Sequence, residues 1–110
     1  MAEFIKDEAE FDTLLAQGKI LVVDCTATWC GPCKLVAPLI DRLATEYGDR
    51  AQVFKLDIDT NKTFPKRFGI RSIPAVIFFN AGEKVEIIVG VKAYEEFSAA
   101  VERLVDIRCL

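Results

Sequence analysis

Two cysteines separated by two residues follow a short apolar run, and this arrangement constrains the fold more than any other feature. The run Ile20–Val23 ends at Asp24 and has no alternating polar residues, so it predicts a strand buried on both faces. Cys30 and Cys33 come next, and apolar residues at helical spacing begin near Cys33. We therefore expect a central strand, a loop and a helix, with both cysteines at the N-terminus of the helix.

The rest of the chain alternates between strand-like and helix-like segments. Strands are predicted near residues 3–5, 20–23, 53–58, 75–79 and 85–89. Helices are predicted after a capping box at Asp7 and Glu10, from near Cys33 with Leu35, Leu39 and Leu43 in its apolar stripe, at about 61–67, and around Tyr94 to Val105. The order β-α-β-α-β-α-β-β-α predicts an α/β fold, a mixed sheet with helices on both sides, in one domain of residues 1–110.

The composition disfavours several classes of function. The chain has a net charge of -3 and no run of Lys or Arg, so we expect no nucleic-acid surface. Apolar runs such as 75–79 are too short to span a membrane. The first residues are acidic and lack the apolar segment of a secretory signal, so a cytoplasmic protein is expected, with a removed transit peptide as an open alternative.

The position of the cysteine pair favours thiol–disulfide chemistry. The thiolate is the nucleophile in disulfide exchange, and the N–H groups and dipole of a helix N-terminus stabilise negative charge there. We expect Cys30 to be the exposed nucleophile and Cys33, inside the first turn, to be the buried resolving thiol. Pro32 stiffens the loop between them, and Gly31 allows a partner backbone to approach closely.

The cysteine pair has two other interpretations. A Cys-x-x-Cys pair can be half of a zinc site, but the sequence has no histidine and no second such pair to complete four ligands. A chemically inert pair in the core is the other alternative, and the flanking Trp29 and Pro32 disfavour it. We expect no metal and no other cofactor.

The segment Ala27–Lys34, with Trp29-Cys30-Gly31-Pro32-Cys33 at its centre, closely resembles the active-site signature of thioredoxins. Further matches run from the first strand to the last helix: Asp24, Pro38, Lys55, Ile70-Arg71-Ser72-Ile73-Pro74, Gly82 and Gly90. The Ile70–Pro74 stretch resembles bacterial and chloroplast m-type members. The resemblance implies a five-stranded sheet flanked by four helices. It also implies a monomer that reduces protein disulfides and receives electrons from an NADPH- or ferredoxin-dependent thioredoxin reductase.

The resemblance also implies roles for two charged residues. Asp24 matches the family's buried carboxylate, which accepts the proton of Cys33, and Lys55 matches the partner of that carboxylate. From the residues alone, Asp24 is also interpretable as a strand-end turn former or a capping group. Lys55 is equally interpretable as a lysine that reaches solvent from an apolar strand.

A substrate-contact surface is implied on the same basis. Ile73-Pro74 matches the family's cis-proline site, which faces the cysteines, and Trp29, Gly90 and Val91 complete the apolar surface around it. The alternatives are a trans proline that merely starts the following strand and a tryptophan that serves ordinary packing.

The segment before the motif departs from the family pattern Asp-Phe-Trp-Ala, because this chain has Asp24-Cys25-Thr26-Ala27. Thr26 shares a strand face with Asp24, so the loss of the indole should loosen packing, admit water near Asp24 and retune the redox potential. Cys25 is expected to be a small buried residue. Cys109, near the C-terminus, is expected to be an incidental exposed thiol, with glutathionylation or an intermolecular disulfide as alternatives.

Other functions compatible with the motif were considered. A glutathione-linked or oxidising relative is disfavoured, because such members usually carry residues other than Gly31-Pro32 between the cysteines. The alternative from a different class is a redox-independent binding subunit with the same fold.

Overall fold

Five strands and four helices alternate along the chain in the computed structural model, which describes residues 1–109. The strands are β1 (Glu3–Phe4), β2 (Leu21–Thr26), β3 (Gln52–Asp57), β4 (Ala75–Asn80) and β5 (Glu83–Val89). The helices are α1 (Glu8–Ala16), α2 (Gly31–Tyr47), α3 (Phe64–Phe68) and α4 (Tyr94–Arg108). No helix within residues 1–109 combines the length and hydropathy needed to cross a bilayer.

The strands form one mixed sheet in the order β1-β3-β2-β4-β5. The β1–β3 and β2–β3 pairs are parallel, and the β2–β4 and β4–β5 pairs are antiparallel. The predicted fold class is therefore confirmed. Leu110, the last residue of the predicted domain, lies outside the described residues.

Each face of the sheet carries its own apolar core, because β2 and β4 are buried on both sides. On one face Val22 and Phe78 belong to a core completed by α2 and α4. On the other face Leu21 and Ile77 belong to a core completed by α1 and α3. Side chains alternate along a strand, so the even-numbered residues of β2 face α2, on which the cysteine pair lies.

Phenylalanine rings dominate the core under α1 and α3. Phe11 is fully buried, and its ring centroid lies 4.9 Å from that of Phe64 and 5.3 Å from that of Phe79, both in edge-to-face geometry. Phe68 completes the cluster, 5.5 Å from Phe11. Such pairs add attraction beyond the burial of apolar area, so Phe11 joins α1, α3 and β4.

The start of α1 has the predicted cap. The Asp7 carboxylate accepts the backbone N–H of Glu10 at 2.8 Å, and the Glu10 carboxylate accepts the backbone N–H of Lys6 at 2.9 Å. These two bonds satisfy backbone donors that the first helical turn leaves free. The capping-box prediction is therefore confirmed, with the return bond going to Lys6.

Two predictions about β2 and α2 were wrong. The strand does not end at Asp24 but continues to Thr26, because Cys25 still pairs with Ala75 and Thr26 with Asp57. Leu35 is 63 % exposed rather than part of the apolar stripe. Residues four apart drift by about 40° around a helix of 3.6 residues per turn, so the series of Leu35, Leu39 and Leu43 leaves the buried face at Leu35.

The third helix is shorter than predicted and starts later. Residues before Phe64 form turns because Asp57 binds them: its carboxylate accepts the N–H of Asp59 at 2.7 Å, and its carbonyl accepts the side-chain amide of Asn61 at 3.0 Å. Asn61 is buried in this arrangement. Side-chain bonds to the local backbone thus replace the helical bonds that the 61–67 prediction required.

Truncation of Phe11 should destabilise the fold strongly. Phe11→Ala removes a fully buried ring from a closed aromatic cluster, so we expect a loss of about 3–5 kcal/mol in the free energy of unfolding. Leu35→Ala, a truncation of an exposed apolar residue, should change it by less than about 0.5 kcal/mol. Urea denaturation of both variants measures the difference, and equal losses would contradict the assigned core.

Candidate active site

Cys30 and Cys33 form a disulfide at the N-terminus of α2, with their Cα atoms 5.3 Å apart. Cys30 is the capping residue of the helix, and its Sγ accepts the backbone N–H of Cys33 at 3.2 Å. A hydrogen bond and the positive end of the helix dipole both favour a thiolate at this atom.

The burial of Cys30 differs from the prediction. Cys30 is only 4 % exposed, close to the 1 % of Cys33, whereas an exposed sulfur was expected. The reason is tertiary, because Ala27 packs with the two cysteines, and Ile58 and Ile73 close over them from other segments. A substrate must therefore approach Cys30 along a restricted path.

That path begins at a groove beside Trp29. The indole is 67 % exposed and its Nε1–H donates to the Asp59 carboxylate at 2.8 Å, so ordinary core packing, the alternative for this residue, is wrong. The groove has a volume of ≈ 320 Å³ and is lined by Trp29, Ile58, Pro65, Ile70, Arg71, Ser72 and Ile73. An exposed, oriented indole beside an apolar groove is a suitable docking surface for another chain. Sequence reasoning missed Asp59, although an acidic residue just after a strand was visible.

The Ile73–Pro74 peptide bond is cis, as the resemblance implied, and the trans alternative is wrong. The carbonyl of Pro74 accepts the N–H of Gly90 at 2.8 Å, which joins the start of β4 to the residue after β5. Gly90 has a φ of 95°, a conformation that favours glycine, and Val91 after it is exposed. Pro74 and Gly90 therefore lie together, and Ile73 connects them to the cysteine pair.

Asp24 lies in the middle of β2, so the turn and capping alternatives are wrong. It is 1 % exposed, and neither carboxylate oxygen has a hydrogen-bond partner among residues 1–109. Burial raises the pKa of Asp24 to about 7, the charge of Lys55 opposes this rise, and the charge of Asp41 adds to it. Burial without a partner disfavours the charged form, so the carboxyl titrates near neutral pH.

Lys55 is the direct neighbour of Asp24 in the β2–β3 register. Its ammonium does not bind Asp24 but lies 3.0 Å from Oδ1 of Asp41 on α2, and its side chain is only 9 % exposed. The interpretation that Lys55 reaches solvent is therefore wrong. Asp41 Oδ1 also accepts the N–H of Ala2 at 3.0 Å.

Sequence reasoning missed Asp41, although its spacing was informative. Cys33, Ala37 and Asp41 recur every four residues, so successive members of this series are neighbours on the surface of α2, and Asp41 lies about two turns beyond Cys33. Hydrogen bonds with Lys55 and Ala2 lower the pKa of Asp41 against the opposing effect of its partial burial, so this carboxylate is charged at neutral pH.

A second cavity lies beside Thr26. It has a volume of ≈ 180 Å³ and is lined by Phe4, Thr26, Ala27, Thr28, Cys33, Lys34, Ala37 and Asp57. Thr26 and Cys33 thus line the same cavity, and the loosened packing expected from Thr26 stays a prediction. Water was expected to reach Asp24, but Asp24 is only 1 % exposed.

The other two cysteines lie away from the pair. Cys25 is fully buried, as predicted, and burial, with a smaller effect from Asp24, raises the pKa of its thiol. Cys109 is exposed, as predicted. Among residues 1–109 no three Cys, Asp or Glu side chains converge in a group that would hold a metal ion.

A redox-active disulfide at a helix N-terminus, with a cis-proline loop packed against it, defines a thiol–disulfide oxidoreductase. The family model for thioredoxin matches residues 3–103. The chain belongs to the thioredoxin family, so its thiol–disulfide oxidoreductase activity rests on both the family and the cysteine pair.

The chain is similar to thioredoxins from a bacterium, an insect and a fungus. Thioredoxin from Staphylococcus saprophyticus is 38 % identical over 96 residues, which cover 87 % of this chain and 91 % of that protein. Thioredoxin-T of Drosophila melanogaster is 40 % identical over 85 residues, 77 % of this chain but only 54 % of the relative. The solved structure of Malassezia sympodialis thioredoxin superposes with a TM-score of 0.87 at 30 % identity, and the match covers 94 % of this chain and 93 % of that one.

Replacement of Asp24 should stabilise the protein in a pH-dependent way. Because the pKa of Asp24 is about 7 in the folded state against 3.8 for an unperturbed aspartate, the native state keeps a proton that the unfolded state releases between these values. The stability of the wild-type protein therefore falls as the pH rises from about 4 to 7. Asp24→Asn should be similar to wild type near pH 4 and more stable by on the order of 4 kcal/mol at pH 8. Denaturation curves across this range test the prediction, and a pH-independent difference would contradict it.

Proposed function

We propose that this protein is a protein-disulfide reductase in which Cys30 is the nucleophile and Cys33 the resolving thiol. The observation that supports this most directly is the position of Cys30 Sγ at the helix N-terminus, where it accepts the Cys33 N–H at 3.2 Å. That bond favours a thiolate at the one sulfur that caps the helix. Residues 1–110 act as one domain in this proposal.

The first step is an attack of the Cys30 thiolate on one sulfur of a substrate disulfide. A bond forms between that sulfur and Cys30, the substrate disulfide breaks, and the other substrate sulfur leaves as a thiolate. Cys33 then loses its proton to the Asp24 carboxylate and attacks Cys30. The Cys30–Cys33 disulfide forms and the second substrate thiolate is released, so two electrons pass from the protein to the substrate.

Asp24 is suited to the proton transfer because its pKa of about 7 lies near ambient pH, where a general base is most effective. It faces α2, which carries Cys33, and its oxygens have no competing hydrogen-bond donor among the described residues. A carboxyl in this setting can hold the proton of Cys33 and return it when the dithiol is regenerated. Lys55 tunes that carboxyl through its charge.

Substrate recognition is proposed at the apolar groove and the loops beside it. An extended substrate segment would lie against Trp29 and Ile73, with Pro74, Gly90 and Val91 along the other side. The exposure of Trp29 and Val91 supports this, since both present apolar surface that the fold does not cover.

The proposed partners are disulfide-containing proteins and a thioredoxin reductase that uses NADPH or ferredoxin. A bifunctional thioredoxin reductase/thioredoxin of Mycobacterium leprae, 43 % identical over 88 residues, combines the two activities in one protein, of which the match covers 19 %. The chain is proposed to act as a cytoplasmic monomer. The Ile70–Pro74 stretch supports a place in the bacterial and chloroplast m-type subgroup.

Cys33→Ser should abolish turnover and trap substrates. Without the resolving thiol, the mixed disulfide at Cys30 persists, so reduction of insulin by the variant with NADPH and a thioredoxin reductase should fall by at least about 100-fold. Non-reducing electrophoresis should show covalent Cys30 adducts that a thiol reagent releases. Cys109→Ser is the matched control and should keep full activity. If the wild-type protein reduces no disulfide while Cys33→Ser still binds partners reversibly, the protein is a redox-independent binding subunit instead.

Filling the cavity at Thr26 should retune the cysteine couple. Thr26→Trp would displace solvent beside Cys33 and so disfavour the dithiol, and we expect the midpoint potential to fall by roughly 10–30 mV. Thr26→Val keeps the volume and removes only the hydroxyl, so it should leave the potential close to that of wild type. Equilibration with glutathione buffers measures the potentials, with disulfide formation followed by thiol alkylation and mass spectrometry. An equal change in both variants would assign the effect to the hydroxyl.

A further inference from the structure

The buried charged groups near the cysteine pair bind partners that the sequence does not suggest. Lys55 is the nearest cation to Asp24 by strand register, because the two residues pair directly across β2 and β3. Paired residues on neighbouring strands point to the same face, so both side chains extend toward α2. The ammonium nevertheless bonds to Asp41, and Asp24 is left with no hydrogen bond among the described residues.

We propose that Asp41 is a positioning residue for the proposed disulfide reduction: it holds the Lys55 ammonium at 3.0 Å on α2 and thereby keeps that donor away from the Asp24 carboxyl. The proposal rests on the proposed function only where it concerns catalysis. The choice of Asp41 and not Asp24 as the partner of Lys55 is independent of any activity.

The geometry supports a stable ion pair between Asp41 and Lys55, which is called the clamp below. Asp41 Oδ1 receives two donors, the Lys55 ammonium and the Ala2 backbone N–H, each at 3.0 Å. The Lys55 side chain is 9 % exposed and that of Asp41 is 25 % exposed, so water screens this ion pair less than a fully exposed pair. A charge-assisted bond of this kind is stronger than a bond to a neutral group, so the ammonium stays on the charged carboxylate.

Few other charges act on Asp24. The groups that influence it are Lys55 from β3 and Asp41 from α2. Its direct neighbour on β4 is the apolar Val76, and Cys25, next along β2, points to the opposite core. Burial has the largest effect on the protonation of Asp24, and the carboxylate that binds Lys55 decides how the two neighbouring charges add to that effect.

Two consequences follow for Asp24. The clamp denies it a hydrogen bond that would stabilise its charged form, and the negative charge of Asp41 opposes ionisation directly. Both effects hold the pKa of Asp24 up, near the value a proton acceptor for Cys33 requires. If Asp41 lost its charge, the long Lys55 side chain would be free to turn toward Asp24.

The test is the titration of the Asp24 carboxyl carbon, followed by ¹³C NMR in the oxidised protein and assigned by its loss in Asp24→Asn. In Asp41→Asn, which keeps an oxygen for the Ala2 N–H, the midpoint should move down by about one pH unit. Asp41→Glu, which retains the charge, should restore a midpoint near that of wild type. Asp12→Asn removes the same charge from an exposed pair with Arg67 and should leave the midpoint unchanged.

A double-mutant cycle separates the clamp from the charge of Asp41 alone. In a Lys55→Met background, Asp41→Asn should move the midpoint by less than half as much, because no ammonium is left to release. An unchanged midpoint in Asp41→Asn, or an equal change in both backgrounds, would overturn the proposal. Asp41→Ser, which also removes the charge, is measured in parallel in case the Asn variant does not fold.

Activity gives a second readout. The acid limb of the pH profile of insulin reduction should move to lower pH in Asp41→Asn, together with the titration midpoint. A protein that reduces no disulfide would refute the proposed function, yet the NMR titration would still decide whether Asp41 controls Lys55. The two proposals can therefore fail separately.

Discussion

The parallel pairing of β2 with β3 is the constraint on which the rest of the site depends. It places Asp24 beside Lys55 in the middle of the sheet and carries β2 on to Thr26, just before the cysteine loop. Because β2 is covered on both faces, the carboxyl it carries is removed from water and becomes hard to ionise. A strand that provides apolar residues for two cores thus also provides the one buried acid beneath the disulfide.

The helix that follows this strand, α2, supplies polar groups at both the cysteine pair and Lys55. The N-terminus of α2 offers free N–H groups at Cys30, and the same helix carries Asp41 two turns beyond Cys33. One element therefore favours negative charge at the nucleophilic sulfur and disfavours it at the buried carboxyl. These opposite effects within one helix suit a reaction in which a thiolate forms at Cys30 while Asp24 exchanges a proton with Cys33.

The apolar surface around the disulfide has a related origin. Ile58 and Ile73 come from loops at the same end of the sheet and close over the cysteines, while Trp29 stays exposed through its bond to Asp59. Ile58 and Ile73 also line the groove beside Trp29, so the groove and the enclosed cysteine pair share two side chains. The proposed docking of an extended substrate segment relies on this shared lining.

The sequence alone determined the elements, their order and the reactive pair. Periodicity and turn residues located all five strands and four helices, and the Cys-x-x-Cys spacing with its flanking residues indicated both the chemistry and the family. These features are local, so nearby residues are enough to specify them. Prediction was less accurate at the element ends, as at Thr26 and Phe64, where pairing or side-chain bonds from Asp57 decide the boundary.

Only the tertiary structure decided which charged groups bind each other and how far the sulfur is enclosed. The resemblance assigned Lys55 to Asp24, but its ammonium binds Asp41, and Trp29 binds Asp59, thirty positions away. Such contacts join residues from separate elements. The competition of Asp24 and Asp41 for the Lys55 ammonium depends on distances in the folded protein, which the spacing of residues along the sequence does not give. The raised pKa of Asp24 is therefore a property of the assembled sheet and helix, whereas the cysteine chemistry is already indicated by the sequence.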